Sequence, residues 1–188
     1  MRPLIVSEFV SLDGVMEAPG GEPTHPHAGW TMPYGVPDMY AYKLDEVREA
    51  ESLLLGRATY EGFSEAWSQR DGEFAEKMNA MPKDVVTSRT EPLGWNATRL
   101  DGLDGGLGPA VRKLKEGEGG PILVAGSGTL VQALLAEGVV DELRLLVFPI
   151  AIGGGLRVFP DDRGKIELAL HELIRYESGV LLQVYRPA

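Results

Sequence analysis

Short apolar runs, each closed by small or hydroxylated residues, recur along this chain and set its pattern. Residues 122–125 (Ile-Leu-Val-Ala) form an uninterrupted run that predicts a parallel strand buried on both faces. Residues 4–10 (Leu-Ile-Val-Ser-Glu-Phe-Val) predict a first strand near the centre of a sheet, and 52–55 and 84–87 predict further short strands. Residues 95–100 can hold another short strand, and 141–148 one more, ended by Pro149. Between the runs lie helical stretches: 39–50, capped by Asp38 behind Pro37; a short helix from Thr59; 72–80; 109–116 with Pro109 at its first position; and 130–136, opened by Thr129 and ended by Gly138. The last two β-rich runs, 166–176 and 180–185, flank Glu177-Ser178-Gly179 and predict an antiparallel hairpin at a sheet edge. The order is βαβ units followed by a β-rich end. It predicts an α/β fold with a mixed, mostly parallel central sheet and helices on both faces.

Two connections stand apart. Residues 15–37 are rich in Gly and Pro and contain His25, His27 and Trp30, and a loop of that length in a compact domain is usually functional or disordered. Residues 150–155, ending in Gly153-Gly154-Gly155, read as a flexible turn whose backbone can approach a ligand or partner closely.

The strand ends carry the candidate chemistry, because open α/β sheets gather ligands at the C-terminal ends of their strands. Gly126-Ser127-Gly128 breaks the 122–125 run, and a helix follows, so backbone N–H groups at a helix N-terminus are presented to any phosphate nearby. The same order recurs at Gly56-Arg57-Ala58-Thr59, where Arg57 can grip a phosphate bidentately or stand as an ordinary surface arginine. A third strand end carries Ser88-Arg89-Thr90. The glycine turn is not a full dinucleotide fingerprint: Val131 stands where the third glycine belongs, and Asp141 and Glu142 precede the next apolar run instead of ending it.

Composition narrows the partners. A length of 188 residues suggests one domain with a real core. With 28 acidic against 18 basic side chains and a formal charge of −10, the surface argues against DNA or RNA, which need a basic footprint. It suits a protein that acts on small molecules. The absence of cysteine excludes disulfides, thiolate metal sites and cysteine nucleophiles. No signal peptide is visible, since Glu8 interrupts the early apolar run, and 145–152, broken by Pro149, is too short to span a membrane. A cytoplasmic protein with no membrane partner is the expectation.

Taken in order, Ser11-Leu12-Asp13-Gly14, Leu55-Gly56-Arg57-Ala58-Thr59-Tyr60, Thr87-Ser88-Arg89 and Val124-Ala125-Gly126-Ser127-Gly128-Thr129-Leu130 resemble the dihydrofolate reductase-like superfamily. They look most like its bacterial branch related to the reductase domain of the bifunctional riboflavin-biosynthesis deaminase/reductase. Val140-Asp141-Glu142-Leu143 and the later Pro149 with Gly153-Gly154-Gly155 fit the same branch, and the resemblance runs from about residue 4 to 186. It implies a three-layer dihydrofolate reductase-like fold over residues 1–188 and NADPH as cofactor. It further implies that Gly56, Arg57 and Thr59 meet the cofactor phosphates and that Ser88 and Arg89 lie near the adenosine 2′-phosphate. Gly126, Ser127, Gly128, Thr129 and Leu130 would wrap the pyrophosphate and nicotinamide side. The 15–37 loop corresponds to the region over nicotinamide and substrate.

Substrate chemistry is less marked. Asp13 is the candidate catalytic residue, able to bond a substrate or order the loop, or simply a turn-former before Gly14. Trp30 and Asp38 are the other candidates at the substrate. Dihydrofolate reductases carry an acid two residues after a proline on the first helix; here that position is Met39, which sets the chain apart from dihydrofolate reduction. With no cysteine there is no zinc deaminase partner domain in this sequence. His25-x-His27 lacks a clear third ligand, so no metal is expected, and Gly126-Ser127-Gly128 is too short a match for a hydrolase nucleophile. Three functions remain open: an NADPH-dependent reductase of a pterin-like or pyrimidine-like heterocycle, a nicotinamide-nucleotide-binding protein in which catalysis is lost or redirected, or a phosphate-sugar or nucleotide-binding enzyme outside this superfamily that uses the same βα turns. A homodimer is expected, as is common among the relatives.

Overall fold

The computed structural model describes residues 1–161 and 164–188. Eight strands, β1 (Leu4–Ser11), β2 (Ser52–Gly56), β3 (Lys83–Val86), β4 (Ala97–Arg99), β5 (Ile122–Ala125), β6 (Glu142–Phe148), β7 (Leu168–Arg175) and β8 (Leu181–Pro187), form one sheet in the order β4-β3-β2-β5-β1-β6-β8-β7. The strands from β4 through β6 run parallel, and β8 and β7 close the sheet antiparallel. The fold is thus α/β with a mixed, mostly parallel sheet. β1 is central and the C-terminal hairpin lies at the edge. Among the described residues no helix is long and apolar enough to cross a membrane.

Five helices cover the two faces: α1 (Pro37–Glu49), α2 (Arg57–Ser68), α3 (Glu73–Ala80), α4 (Leu107–Glu116) and α5 (Gly128–Ala136). Strand alternation distributes the core between them. Leu53 and Leu55 of β2 point to a cluster with Val47 of α1, Tyr60 of α2 and Met78 of α3, whereas Leu54 between them joins Val111 of α4 and Leu130, Val131 and Leu134 of α5. Burial on both faces is why the apolar runs of β2 and β5 lack polar interruptions.

Several boundaries differ from the sequence reading. Asp38 does not cap α1: Val36 is the N-cap, Pro37 takes the first helical position, where its missing N–H costs nothing, and Asp38 lies exposed in the first turn. α4 starts two residues before Pro109, still within the turn whose amides have no intrahelical acceptor. α2 starts at Arg57 and not at Thr59. Lys83 belongs to β3 and is only 2 % exposed. Its Nζ donates to the Met81 carbonyl at 2.6 Å and lies 4.0 Å from the centre of the Trp95 ring. Burial pushes this ammonium down to about 8.

The 150–155 turn is anchored, not free. The Asp13 carboxylate accepts the N–H groups of Ile152 (2.9 Å) and Gly153 (2.7 Å), and Leu12 N–H donates to the Ile150 carbonyl. The close backbone approach that the glycines permit is made by this chain itself. Two further ties lace the start of the long loop to the same segment: Met16 N–H donates to the Leu156 carbonyl, and Leu156 N–H to Glu17 Oε2.

Candidate functional site

β2 and β5 are neighbours in the sheet, so the turns that leave them meet at the C-terminal edge. Gly56 N–H donates to Ser127 Oγ at 2.8 Å and fastens one turn to the other. α2 and α5 start there, and no side chain caps either first turn. Their leading amides therefore have no intrahelical acceptor, and both positive helix ends face one spot. The turn needs its glycine: Gly126 is left-handed (φ +71°), and a Cβ on it would stand 3.2 Å from Thr59 Cγ2. Ser127 is also left-handed, a conformation that a serine adopts at some cost.

Arg57 opens α2 at this junction. Its Nε donates to Glu61 Oε1 at 2.6 Å, while its Nη1 is buried with no hydrogen-bond partner among the described residues. Arg89, at the end of neighbouring β3, brings its Nη1 to 3.8 Å from the same Glu61 oxygen. A carboxylate thus sits between the two arginines, where an incoming anion can replace it. Ser88 is exposed beside them, and Thr87 is buried, its Oγ1 accepting the Arg89 N–H. The fold brings Gly56, Arg57, Thr59, Gly126, Ser127 and Gly128 together and adds Arg89 through Glu61. Thr129 is exposed in the first turn of α5. Leu130 is different: its side chain is 6 % exposed in the core, so only its backbone N–H can take part.

The three residues expected at the substrate end prove to be tied up or turned away. Asp13 receives Ser11 Oγ–H at 2.6 Å as well as the two amides of the 150–155 turn. The Ser11 hydroxyl first, then the Ile152 amide, lower its carboxyl to about 2, so it is held ionised and carries no proton to give. It orders a loop, although that loop is 150–155 and not 15–37. Trp30 is buried: its Nε1 donates to the Glu17 carbonyl and its ring meets Phe148 edge-on at 5.3 Å, so it fills core and does not line a pocket. Asp38 faces solvent on α1. Trp67 likewise stacks on Phe74, with centroids 4.9 Å apart, in the α2–α3 contact. In the long loop His27 N–H donates to His25 Nδ1, which occupies one of the candidate ligand nitrogens. Among the described residues no group of three or more His, Asp or Glu side chains is placed to share a metal ion.

Sequence reasoning passed over Glu8, where the only signal was an acid inside an apolar strand. Glu8 is 4 % exposed and its Oε1 has no partner. Burial pushes its carboxyl up to about 8, against the pull of Lys43 and of the Gly126 backbone N–H. The protonated form is the one that the fold prefers. Below the unfolded value near 4.5 this preference contributes fully to stability, and it is lost as pH rises through about 8. Glu8→Gln, which cannot ionise, is therefore expected to gain on the parent protein by up to a few kcal/mol between those limits. Urea unfolding of both proteins at pH 5, 7 and 9 reads it; a constant difference would show that Glu8 does not titrate in this window.

On the opposite face of β1, Ser7 Oγ donates to Glu46 Oε2 at 3.0 Å, and Lys43 Nζ donates to both. Arg144 Nη1 reaches Glu46 Oε1 at 3.2 Å, and its Nε reaches Glu142 at 2.7 Å. This network pins α1 to the sheet beside the site.

Two helix starts without side-chain caps, and a guanidinium nitrogen without a partner among the described residues, suit a diphosphate group, with Arg89 placed for a further phosphate. Comparison with known proteins agrees with the fold. The sequence profile of the RibD C-terminal domain matches residues 2–182. The chain is 27% identical to the uncharacterized protein YyaP of Bacillus subtilis strain 168 over 188 residues, covering 98% of this chain and 94% of that one. Among solved structures, a putative riboflavin biosynthesis protein from Shewanella sp. PV-4 superposes with a TM-score of 0.70 at 20% identity, over 100% of this chain and 99% of the other. The deaminase/5-amino-6-(5-phosphoribosylamino)uracil reductase of Thermotoga maritima superposes with a TM-score of 0.66 at 14% identity, covering all of this chain but 57% of that protein.

Proposed function

The chain belongs to the RibD C-terminal domain family, and from that premise we propose that it is an NADPH-dependent reductase of a small pyrimidine-like or pterin-like heterocycle. The observation that carries this reading is the Arg57 junction: two uncapped helix starts joined by the Gly56–Ser127 bond, with one guanidinium nitrogen buried and unpaired. The left-handed backbone at Gly126 and Ser127 can turn its amides toward a diphosphate, Arg57 neutralises it, and Ser88 and Arg89 suit a 2′-phosphate. NADPH held there would supply a hydride, with residues at the ends of β1 and β5 left to hold its reactive ring. The protein's part is to orient the ring and exclude water; the tied 11–17 and 150–158 segments are the natural cover. The related Thermotoga protein is described as a uracil-derivative reductase, which favours a pyrimidine substrate.

A second reading keeps the nucleotide and drops the catalysis. It draws on Met39, 2 % exposed where dihydrofolate reductases carry an acid, and on an Asp13 committed to a loop. A homodimer belongs to the main proposal, since Leu170 and Leu173 stand exposed on edge strand β7; sedimentation as a monomer would remove it.

The test of cofactor binding is a titration that follows the fluorescence of the protein's three tryptophans. Micromolar quenching by NADPH is expected, with NADH weaker by about tenfold because it lacks the phosphate that Arg89 would pair. No response to either nucleotide sinks both readings. Binding without turnover of any pyrimidine or pterin offered leaves the non-catalytic one.

A further inference from the structure

Glu8 lies on β1 opposite Leu145 of β6; on the other side Ser7 pairs with Ala125 of β5, so Glu8 stands level with Gly126, where the glycine turn begins. Strand alternation puts its side chain on the face of Val6 and Val10, away from Ser7 and Phe9, which meet α1. It is therefore an acid under the glycine turn, more than nine-tenths buried among apolar residues, with one carboxyl oxygen that nothing in the described protein satisfies. Buried polar atoms are almost always paired, so such an orphan calls for a partner from outside the chain.

We propose that Glu8 is the residue that positions the nicotinamide, its neutral carboxyl pairing with the carboxamide group of the ring. This inference rests on the dinucleotide reading above and adds to it a residue and a chemical group. The fit is one of hydrogen-bond patterns. A carboxylic acid offers one O–H donor beside one C=O acceptor, and a primary carboxamide offers one N–H beside one C=O, so the two close a pair of parallel hydrogen bonds. An ionised Glu8 accepts only and leaves the amide oxygen unmatched. The charged groups that act on Glu8 are Lys43 and Glu46 of α1, across the sheet; the Gly126 N–H is the polar group beside it. Neither charged group lies on the face where the ring would sit.

The experiment compares NADPH with 2′,5′-ADP, which shares the adenosine phosphates and lacks the nicotinamide. Wild type, Glu8→Gln and Glu8→Leu are titrated with both by calorimetry from pH 6 to 10, after thermal melts establish that each is folded. Glu8→Leu is expected to lose about tenfold in NADPH affinity and nothing toward 2′,5′-ADP. Glu8→Gln, which keeps one donor and one acceptor, is expected to stay within about twofold of wild type at neutral pH. Wild-type NADPH affinity should fall as pH passes about 8, while the Gln variant holds its affinity. Equal NADPH affinity in wild type and Glu8→Leu overturns the proposal. So does a parallel loss of both ligands, which marks a structural role, or a pH profile shared by wild type and Glu8→Gln. If wild type binds neither ligand, the dinucleotide reading falls and takes this inference with it.

Discussion

Arg57→Ala is expected to weaken NADPH binding by about one to two orders of magnitude while leaving the protein folded. The side chain is one-quarter exposed, at the first position of α2, and its ion-pair partner among the described residues, Glu61, is itself half exposed, so little folding energy rests on it. Toward a diphosphate the balance differs. A guanidinium making charge-assisted bonds to phosphate contributes roughly 1.5–3 kcal/mol, and its Nη1 is already stripped of water without a partner. Part of the cost of desolvation has therefore been met before the ligand arrives. The measurement is the same fluorescence titration, with a thermal melt as control. An affinity unchanged within twofold would mean that the diphosphate does not sit at this junction. Arg57→Lys is the sharper companion, since it keeps the charge and loses the fork; it should recover only part of the affinity.

Glu46→Ala is expected to be the most destabilising single change around the site, by about 3–5 kcal/mol. The carboxylate is 1 % exposed and satisfies Ser7, Lys43 and Arg144 together. Its removal leaves the Lys43 ammonium and one side of the Arg144 guanidinium facing a void in the α1–sheet contact, and a buried charge without its partner is what makes such a deletion costly. For a chain of this length the loss corresponds to a fall in melting temperature of about 10 °C. Urea unfolding should show a lower midpoint at an unchanged slope. A loss under about 1 kcal/mol would mean that Glu142, which also holds Arg144, carries that cation alone. Glu46→Gln, which keeps the shape and the Ser7 bond, should fall between the two.

Much of the architecture was legible because it follows from local patterns. Residues 122–125 and 52–55 read as doubly buried strands since nothing polar interrupts them, and β5 and β2 lie inside the sheet with helices on both sides. The hairpin at the end announced itself through Glu177-Ser178-Gly179 between two β-rich runs, and β7 and β8 pair as it requires. The candidate phosphate junction was legible in part: Gly56-Arg57, Ser88-Arg89 and Gly126-Ser127-Gly128 each stood at a strand end, but only as separate stretches. That β2 lies between β3 and β5, so that three turns far apart in sequence share one edge, is a property of strand order.

What the sequence left hidden has one cause. Asp13, Trp30 and Asp38 were residue types that suit a substrate pocket, and residue type does not reveal what a side chain already holds. Asp13 is satisfied by amides about 140 residues away, Trp30 by the Glu17 carbonyl and Phe148. Glu8 shows the converse, an acid that looked like a break in a strand and is left with an unpaired oxygen beneath the glycine turn.

By itself, then, the sequence determined the elements, the fold class and the glycine- and arginine-bearing turns, because hydrophobic periodicity, turn chemistry and helix starts act over a few residues. Only the tertiary structure decided which turns meet, which carboxylates are spent on loops and which one is buried with an unpaired oxygen, because hydrogen-bond satisfaction and desolvation depend on neighbours that the chain brings together from far along its length.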